Sequence, residues 1–379
     1  MLKQLSVLAL AGFALAQNET VPDLAAALNS TDELSTLQSV IPAGVLESLA
    51  GLTNITILAP SNSAFGKIDN ETLSSLTSNE GLLTALLQYH VLNGTFRSTD
   101  ITNTSTFVPT ALTNPMFTNV TGGQVVEAIA MDDSVMFYSG LLANSTVTTA
   151  DVNFTGGVIH IIDSVLTLPE NTADTLSAAD LVALRGAINA TELFDTVNNT
   201  PNITIFAPNN EAFQNIGSAL GNLSTEDATS ILTYHVIAGT IGYSSTLENG
   251  TNLTTANGEQ LTITIGEGGI FVNNARVVAS DILIANGVVH VIDEVLNPSN
   301  ATIADPTSDE GEPAFEGATP VSDVPFTSGQ PTPTTSIGED ASDAADPTST
   351  PSNTDNAAPR QTGAIGMSAL LGAAAVYFL

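Results

Sequence analysis

Asn54 to Phe65 reads NITILAPSNSAF, and Asn202 to Phe213 reads NITIFAPNNEAF; the two stretches agree at nine of twelve positions. Each begins with a β-branched run that favours a strand, and Ala-Pro then ends it by removing a backbone donor. A polar turn and a short helical run follow, SNSAFGKI in one and NNEAFQNI in the other. Repetition at this distance predicts two copies of one module.

Two further landmarks recur in the same order. LQYHVLNGT (Leu87 to Thr95) is matched by LTYHVIAGT (Leu232 to Thr240), and GVIHIIDSVL (Gly157 to Leu166) by GVVHVIDEVL (Gly287 to Leu296). The chain's four histidines, His90, His160, His235 and His290, all lie in these matched settings. The gap between histidines is 70 residues in the first copy and 55 in the second, which predicts a longer loop or an added hairpin around Pro109 to Ser139.

Within each copy the periodicity changes along the chain. Apolar residues recur at helical spacing in Asp23–Leu49 and Thr175–Val197. Thr77 and Glu80 have the spacing of a capping box before GLLTALLQYHV, as do Ser224 and Asp227 before the second Tyr-His-Val. Thr, Val and Ile punctuated by Gly and Asn then signal hairpins, as in QLTITIGEGGIFVNNARVV. The expected fold is α+β, with helices first and antiparallel strands after, in two domains joined stiffly by the short linker TLPENTADT.

A strand followed by APSNSAF or APNNEAF, a central YHV, and a terminal GVIHIIDSVL or GVVHVIDEVL resemble the conserved landmarks of the fasciclin (FAS1) domain. The resemblance covers residues 20–168 and 171–298, each implied to be a β-sandwich or wedge with several packed helices. It implies cell adhesion or matrix association, and a tandem, anchored surface protein of fungal type. In animal members of the family the resemblance implies, integrin-type contact has been linked to an Asp-Ile before the last motif and to the Tyr-His region. That carries Asp281 and Ile282, Tyr234 and His235, and Tyr89 and His90 over as partner-contact candidates; the first copy departs from the pattern with Asp151-Val152.

Strand alternation puts His160 with Val158 and Ile162, and His290 with Val288 and Ile292, on faces of core composition. The rings are therefore expected to be packed and internally hydrogen-bonded, with no metal, cofactor or catalytic role. Asp163 and Asp293, the nearest carboxylates, fall on the opposite strand face. The sequence has no H-x-H, H-E-x-x-H, G-x-S-x-G, Asp-Thr-Gly, Asp-Ser-Gly or Arg-Gly-Asp, and no cysteine.

With 39 acids against six bases, the formal net charge is −33. So few bases cannot track a phosphate backbone, so nucleic acid is not an expected partner. Zero Trp and five Tyr weaken the alternative of a wall-remodelling or carbohydrate-binding protein, because sugar recognition commonly stacks rings.

The two ends read as addresses. Residues 1–16 combine Lys3, an apolar run and Ala14-Leu15-Ala16, the pattern of a cleaved signal peptide. Residues 357–379 end in an apolar tail without basic flanks, the layout of a GPI-attachment signal, with Asn356 as the expected attachment residue. Residues 299–356 are rich in Pro, Ser, Thr, Asp and Glu and predict a disordered stalk. N-x-S/T sequons begin at Asn18, Asn29, Asn54, Asn70, Asn93, Asn103, Asn119, Asn144, Asn153, Asn189, Asn198, Asn202, Asn222, Asn249, Asn252 and Asn300. The expectation is a non-enzymatic glycoprotein at the plasma membrane or cell wall, binding surface or matrix proteins or wall glycans. A vacuolar or endosomal membrane protein acting in trafficking is the alternative address.

Overall fold

In a computed structural model of the chain, residues 21–132 and 134–333 are described. The signal peptide, Asn18, Asn356 and the 357–379 tail lie outside them. Each copy of the repeat is a seven-stranded sheet with helices against it. The first sheet contains β1 (Ile55–Pro60), β2 (Val91–Asn93), β3 (Thr106–Pro109), β4 (Val125–Met131), β5 (Ser134–Tyr138), β6 (Asn144–Phe154) and β7 (Gly157–Ile162), in the order β2-β1-β7-β6-β5-β4-β3. The second contains β8 (Ile203–Pro208), β9 (Val236–Ile237), β10 (Asn252–Thr254), β11 (Gln260–Gly266), β12 (Gly269–Val272), β13 (Ala275–Ile284) and β14 (Gly287–Ile292). Its order, β9-β8-β14-β13-β12-β11-β10, repeats the first.

The repeated motifs form the centre of each sheet. β1 lies parallel to β7, with Leu58 opposite His160, and β8 lies parallel to β14, with Phe206 opposite His290. All other strand pairs are antiparallel. Parallel strands are usually covered on both faces, and β8 and β14 are buried along their whole length. That explains why NITI and GVVHVI read as unbroken apolar runs, with little polar alternation. The first Gly of each GVxH motif is needed for close approach: a Cβ on Gly157 or Gly287 would sit 1.9 Å from the carbonyl oxygen of Ile55 or Ile203.

β6 and β13 each change register twice against their partner. Asp151 and Asp281 sit within these irregularities in the left-handed region, at φ 59° and 62°. Such bulges bend a strand and re-aim its side chains. The helix before the first Tyr-His is capped by Asn79, whose side chain accepts from the Leu82 amide at 3.1 Å. Thr77 instead turns its hydroxyl back to Leu73 and Ser74 within the preceding helix, so the Thr77/Glu80 capping box does not form. The Ser224/Asp227 box does.

The fifteen extra residues of the first copy go mainly into the loop between β3 and β4, with no further hairpin, and this loop clasps the second domain. The Asn119 amide donates to Ala285 O at 2.7 Å and its side chain to Asn199 O at 3.0 Å. Thr121 and Asn202 exchange two hydrogen bonds, 2.8 and 2.7 Å, and buried Gln124 donates to Ile284 O at 3.0 Å. Leu141, between β5 and β6, joins the hydrophobic core of the second domain, a cluster that includes Ala187, Ile188 and Ile284. The short linker thus connects domains that are also packed together.

Residues 301–330 correct the expectation that a disordered stalk begins at 299. They run as an irregular strap across the second domain, burying Ala304 and Ala314. Val321 crosses Gly217, and the Phe326 backbone crosses Gly186, where an added Cβ would meet its carbonyl oxygen at 1.9 Å. Phe326 meets the edge of the Phe213 ring at 6.1 Å, and Arg185 hydrogen-bonds Gln330. Proline-rich composition concealed this docking because the strap contributes few apolar residues; the cradle for them lies in the domain.

Candidate functional site

The four imidazoles occupy two kinds of interior position, each used twice. His90 and His235 cap the C-terminal ends of helices Glu80–Tyr89 and Thr225–Tyr234. Their Nδ1 atoms lie 2.8 Å from the carbonyls of Leu86 and Ile231. Their Nε2 atoms accept from the amides of Leu166 and Leu296 at 3.0 and 2.9 Å. A ring that donates through Nδ1 and accepts through Nε2 must be neutral. Burial accordingly lowers both to about 4, opposed by the helix carbonyl.

His160 and His290 use the opposite polarity. Their Nδ1 atoms accept from the amides of Asp151 and Asp281 at 3.3 and 3.2 Å. Their Nε2 atoms lie 2.8 Å from the carbonyls of Phe96 and Gly242, to which they donate. Each ring ties the bulge to the loop after the Tyr-His motif. With both nitrogens of all four rings engaged by backbone, no imidazole lone pair is left for a metal or a proton transfer. Among the described residues, no group of three or more His, Asp or Glu is placed to hold an ion.

The six partner-contact candidates are also interior, which corrects their expected role. Tyr89 and Tyr234 are fully buried and donate through their hydroxyls to Val125 O at 2.9 Å and Gln260 O at 2.8 Å. Ile282 is fully buried, and His90, His235 and Asp281 retain 4% exposure or less. Asp281 accepts from the Ser244 amide at 2.9 Å and also from its hydroxyl. The Asp-Ile pair is therefore a bulge device, in which a left-handed Asp satisfies its own strand and the neighbouring loop. Asp151 repeats that arrangement with Ser98. Val152 replaces Ile without altering it. Sequence periodicity could not separate Asp281 and Ile282 from surface contacts, because the bulge breaks strand alternation there.

Asp163 accepts from the Thr146 amide at 2.8 Å and pairs with Lys67 at 3.4 Å; Asp293 accepts from Arg276 and Gly311 amides, each at 2.8 Å. Both act on local backbone. Three glutamates that sequence reading did not single out are more unusual. Burial pushes Glu127 up to about 7, Glu170 to about 8 and Glu294 to about 7. Glu170 and Glu294 each keep a buried oxygen without a hydrogen-bond partner. No charge pattern marks these three among so many acids. Of the fifteen sequon asparagines in the described residues, none is buried; Asn198, Asn202 and Asn300 are partly covered and the other twelve are exposed.

Two tandem α+β modules of the same strand order, each braced by its pair of histidines, define a duplicated repeat scaffold. The Fasciclin domain model matches residues 32–169 and 179–298, and the chain belongs to that family. It is 41% identical over 290 residues to a fasciclin-like arabinogalactan protein of Arthroderma benhamiae, covering 75% of this chain and 68% of that one. It is 29% identical to fasciclin-like arabinogalactan protein elcF of Phaeosphaeria nodorum, over 77% of this chain and 92% of the relative. A solved FAS1 domain pair from the insect cell adhesion molecule Fasciclin I aligns with 70% of this chain and 96% of its own, at 23% identity and a TM-score of 0.34.

Proposed function

We propose that the chain is a non-enzymatic surface glycoprotein that adheres to other cells or associates with wall or matrix components through the exterior of its two domains. The carrying observation is that all four histidines, the chain's best candidate reagents, spend both ring nitrogens on backbone groups in the interior. Exposed sequons on both domains support passage through the secretory route. The fungal fasciclin-like relatives support the same reading. On this reading residues 1–16 are removed and a lipid replaces residues 357–379 at Asn356, leaving the domains outside the membrane.

The test uses intact cells producing the full chain. Phosphatidylinositol-specific phospholipase should release the protein, and the released form should rebind isolated walls or partner cells without generating new reducing ends. Retention after lipase treatment would favour the vacuolar or endosomal address. New reducing ends would overturn the non-enzymatic reading. Substitution of Asp281 or Tyr234 cannot test contact, because both hold the fold.

A further inference from the structure

The boundary between the domains contains acids without counter-ions. Strand register places Phe107 opposite Glu127, and Glu127 opposite Tyr138. Phe107 stacks across the boundary on Tyr243, with ring centroids 3.9 Å apart and planes 7° from parallel. Glu127 is 8% exposed and accepts from the Ser105 hydroxyl at 2.5 Å. Asp281 of the second domain is close enough to bear on its charge. At the other end of the boundary the Glu170 carbonyl accepts from the Ala285 amide at 2.6 Å, while one of its carboxyl oxygens is buried without a partner. Among the described residues the one ion pair is Lys67 with Asp163, elsewhere in the first domain.

We propose that the domain pair is an acid-closed hinge. While Glu127 and Glu170 are protonated, the β3–β5 face stays docked on Tyr243 and Asp281; when they ionise, the docking loosens. An unpaired carboxylate in a dry boundary lacks the solvation that opening restores. The groups bearing on Glu127 are Asp281 and Tyr138, with Tyr243 beside Asp281 and Tyr89 behind it. Asp174 bears on Glu170. None of these brings positive charge. Burial raises the three tyrosines, so they remain neutral in the relevant range.

The sign follows from linkage. In the open state both glutamates would titrate near their ordinary 4.5; in the closed state they titrate at about 7 and about 8. Docking is therefore strongest below about pH 4.5. It weakens as pH climbs to 7 and 8 and changes no further above that. Glu127 by itself makes opening on the order of 10²-fold easier across this interval.

Native-state amide exchange of the full chain measures the opening directly. The Asn119, Thr121 and Ala285 amides donate across the boundary and report docking; Ile159 and Val289, in the buried centres of the sheets, report global unfolding. After correction for intrinsic exchange, boundary protection should fall between pH 5 and pH 8.5 by more than the order of 10²-fold that Glu127 alone supplies, and at pH 8.5 the boundary amides should exchange faster than the core amides. Glu127→Gln with Glu170→Gln should abolish that fall. Phe107→Ala should lower boundary protection equally at both pH values. The hinge is refuted by constant boundary protection, by boundary amides as well protected as the core amides at pH 8.5, by a double variant that behaves like the parent, or by a Phe107→Ala variant that leaves the boundary unchanged. If the glutamate variant does not fold, the parent's pH series against its own core amides decides.

Discussion

At the scale of single residues, the paired histidines make a testable stability term. His235→Ala removes the acceptor of the buried Leu296 amide and opens a cavity, and should cost roughly 2–4 kcal/mol. Urea unfolding of the parent and variant would measure it. His90 and His235 also make the fold acid-sensitive. Each titrates near 6.5 when unfolded and about 4 when folded, so the unfolded chain gains protons first as pH falls. Their stability term is complete above pH 6.5 and declines from there to pH 4, by an upper bound of about 3 kcal/mol per ring. The variant should show a smaller loss between pH 6.5 and 4 than the parent. The imidazoles were legible as interior from the apolar residues at i±2 in GVIHII and GVVHVI. Their opposed donor and acceptor roles were not, because these depend on partners distant in sequence: the Leu166 and Leu296 amides for one pair, the Phe96 and Gly242 carbonyls for the other.

Elements show where local sequence signals compete. Thr77 and Asn79 both stand before the helix Glu80–Tyr89, and the spacing of Thr77 to Glu80 favoured Thr77 as the cap. The preceding helix, Asn70–Ser78, continues through Thr77 and takes its hydroxyl, which leaves Asn79 to cap. Asn79→Ala should therefore cost about 1 kcal/mol, while Thr77→Ala should change stability by less than about 0.5 kcal/mol. Thermal unfolding of the two variants would separate them, and the reverse order would restore the box. The parallel pairing of β1 with β7 was likewise hidden, since a fully buried apolar run does not reveal its direction. The loop between β3 and β4 was legible only as extra length. Its purpose depends on Ala285, Asn199 and Asn202, all in the other copy.

For the whole molecule, the duplication and the class were readable because each copy carries its own ordered landmarks. The association of the copies was not, because it uses residues that differ between them. That association predicts a glycosylation pattern. The side-chain amides of Asn119 and Asn202 are spent on hydrogen bonds across the boundary, whereas Asn70, Asn103, Asn189 and Asn249 are exposed on the domains. Glycopeptide mass spectrometry of the docked pair should find Asn119 and Asn202 far less occupied than those four. Full occupancy of either would contradict the clasp. The strap predicts a stability change in the second domain: ending the chain after Asn300 uncovers Phe213 and the side chains around Gly186 and Gly217. It should lower that domain's stability by about 2–4 kcal/mol, read from its urea midpoint.

The strap also determines how a pull on the C-terminal end would reach the protein. Tension would first meet Gln330 on Arg185 and Phe326 on Phe213, before it reached the sheet at β14. Peeling the roughly thirty residues of strap would pay out about 100 Å of chain at 3.3–3.6 Å per residue. The molecule would lengthen in small, recoverable steps under load while both sheets stayed intact, a tether with its own shock absorber.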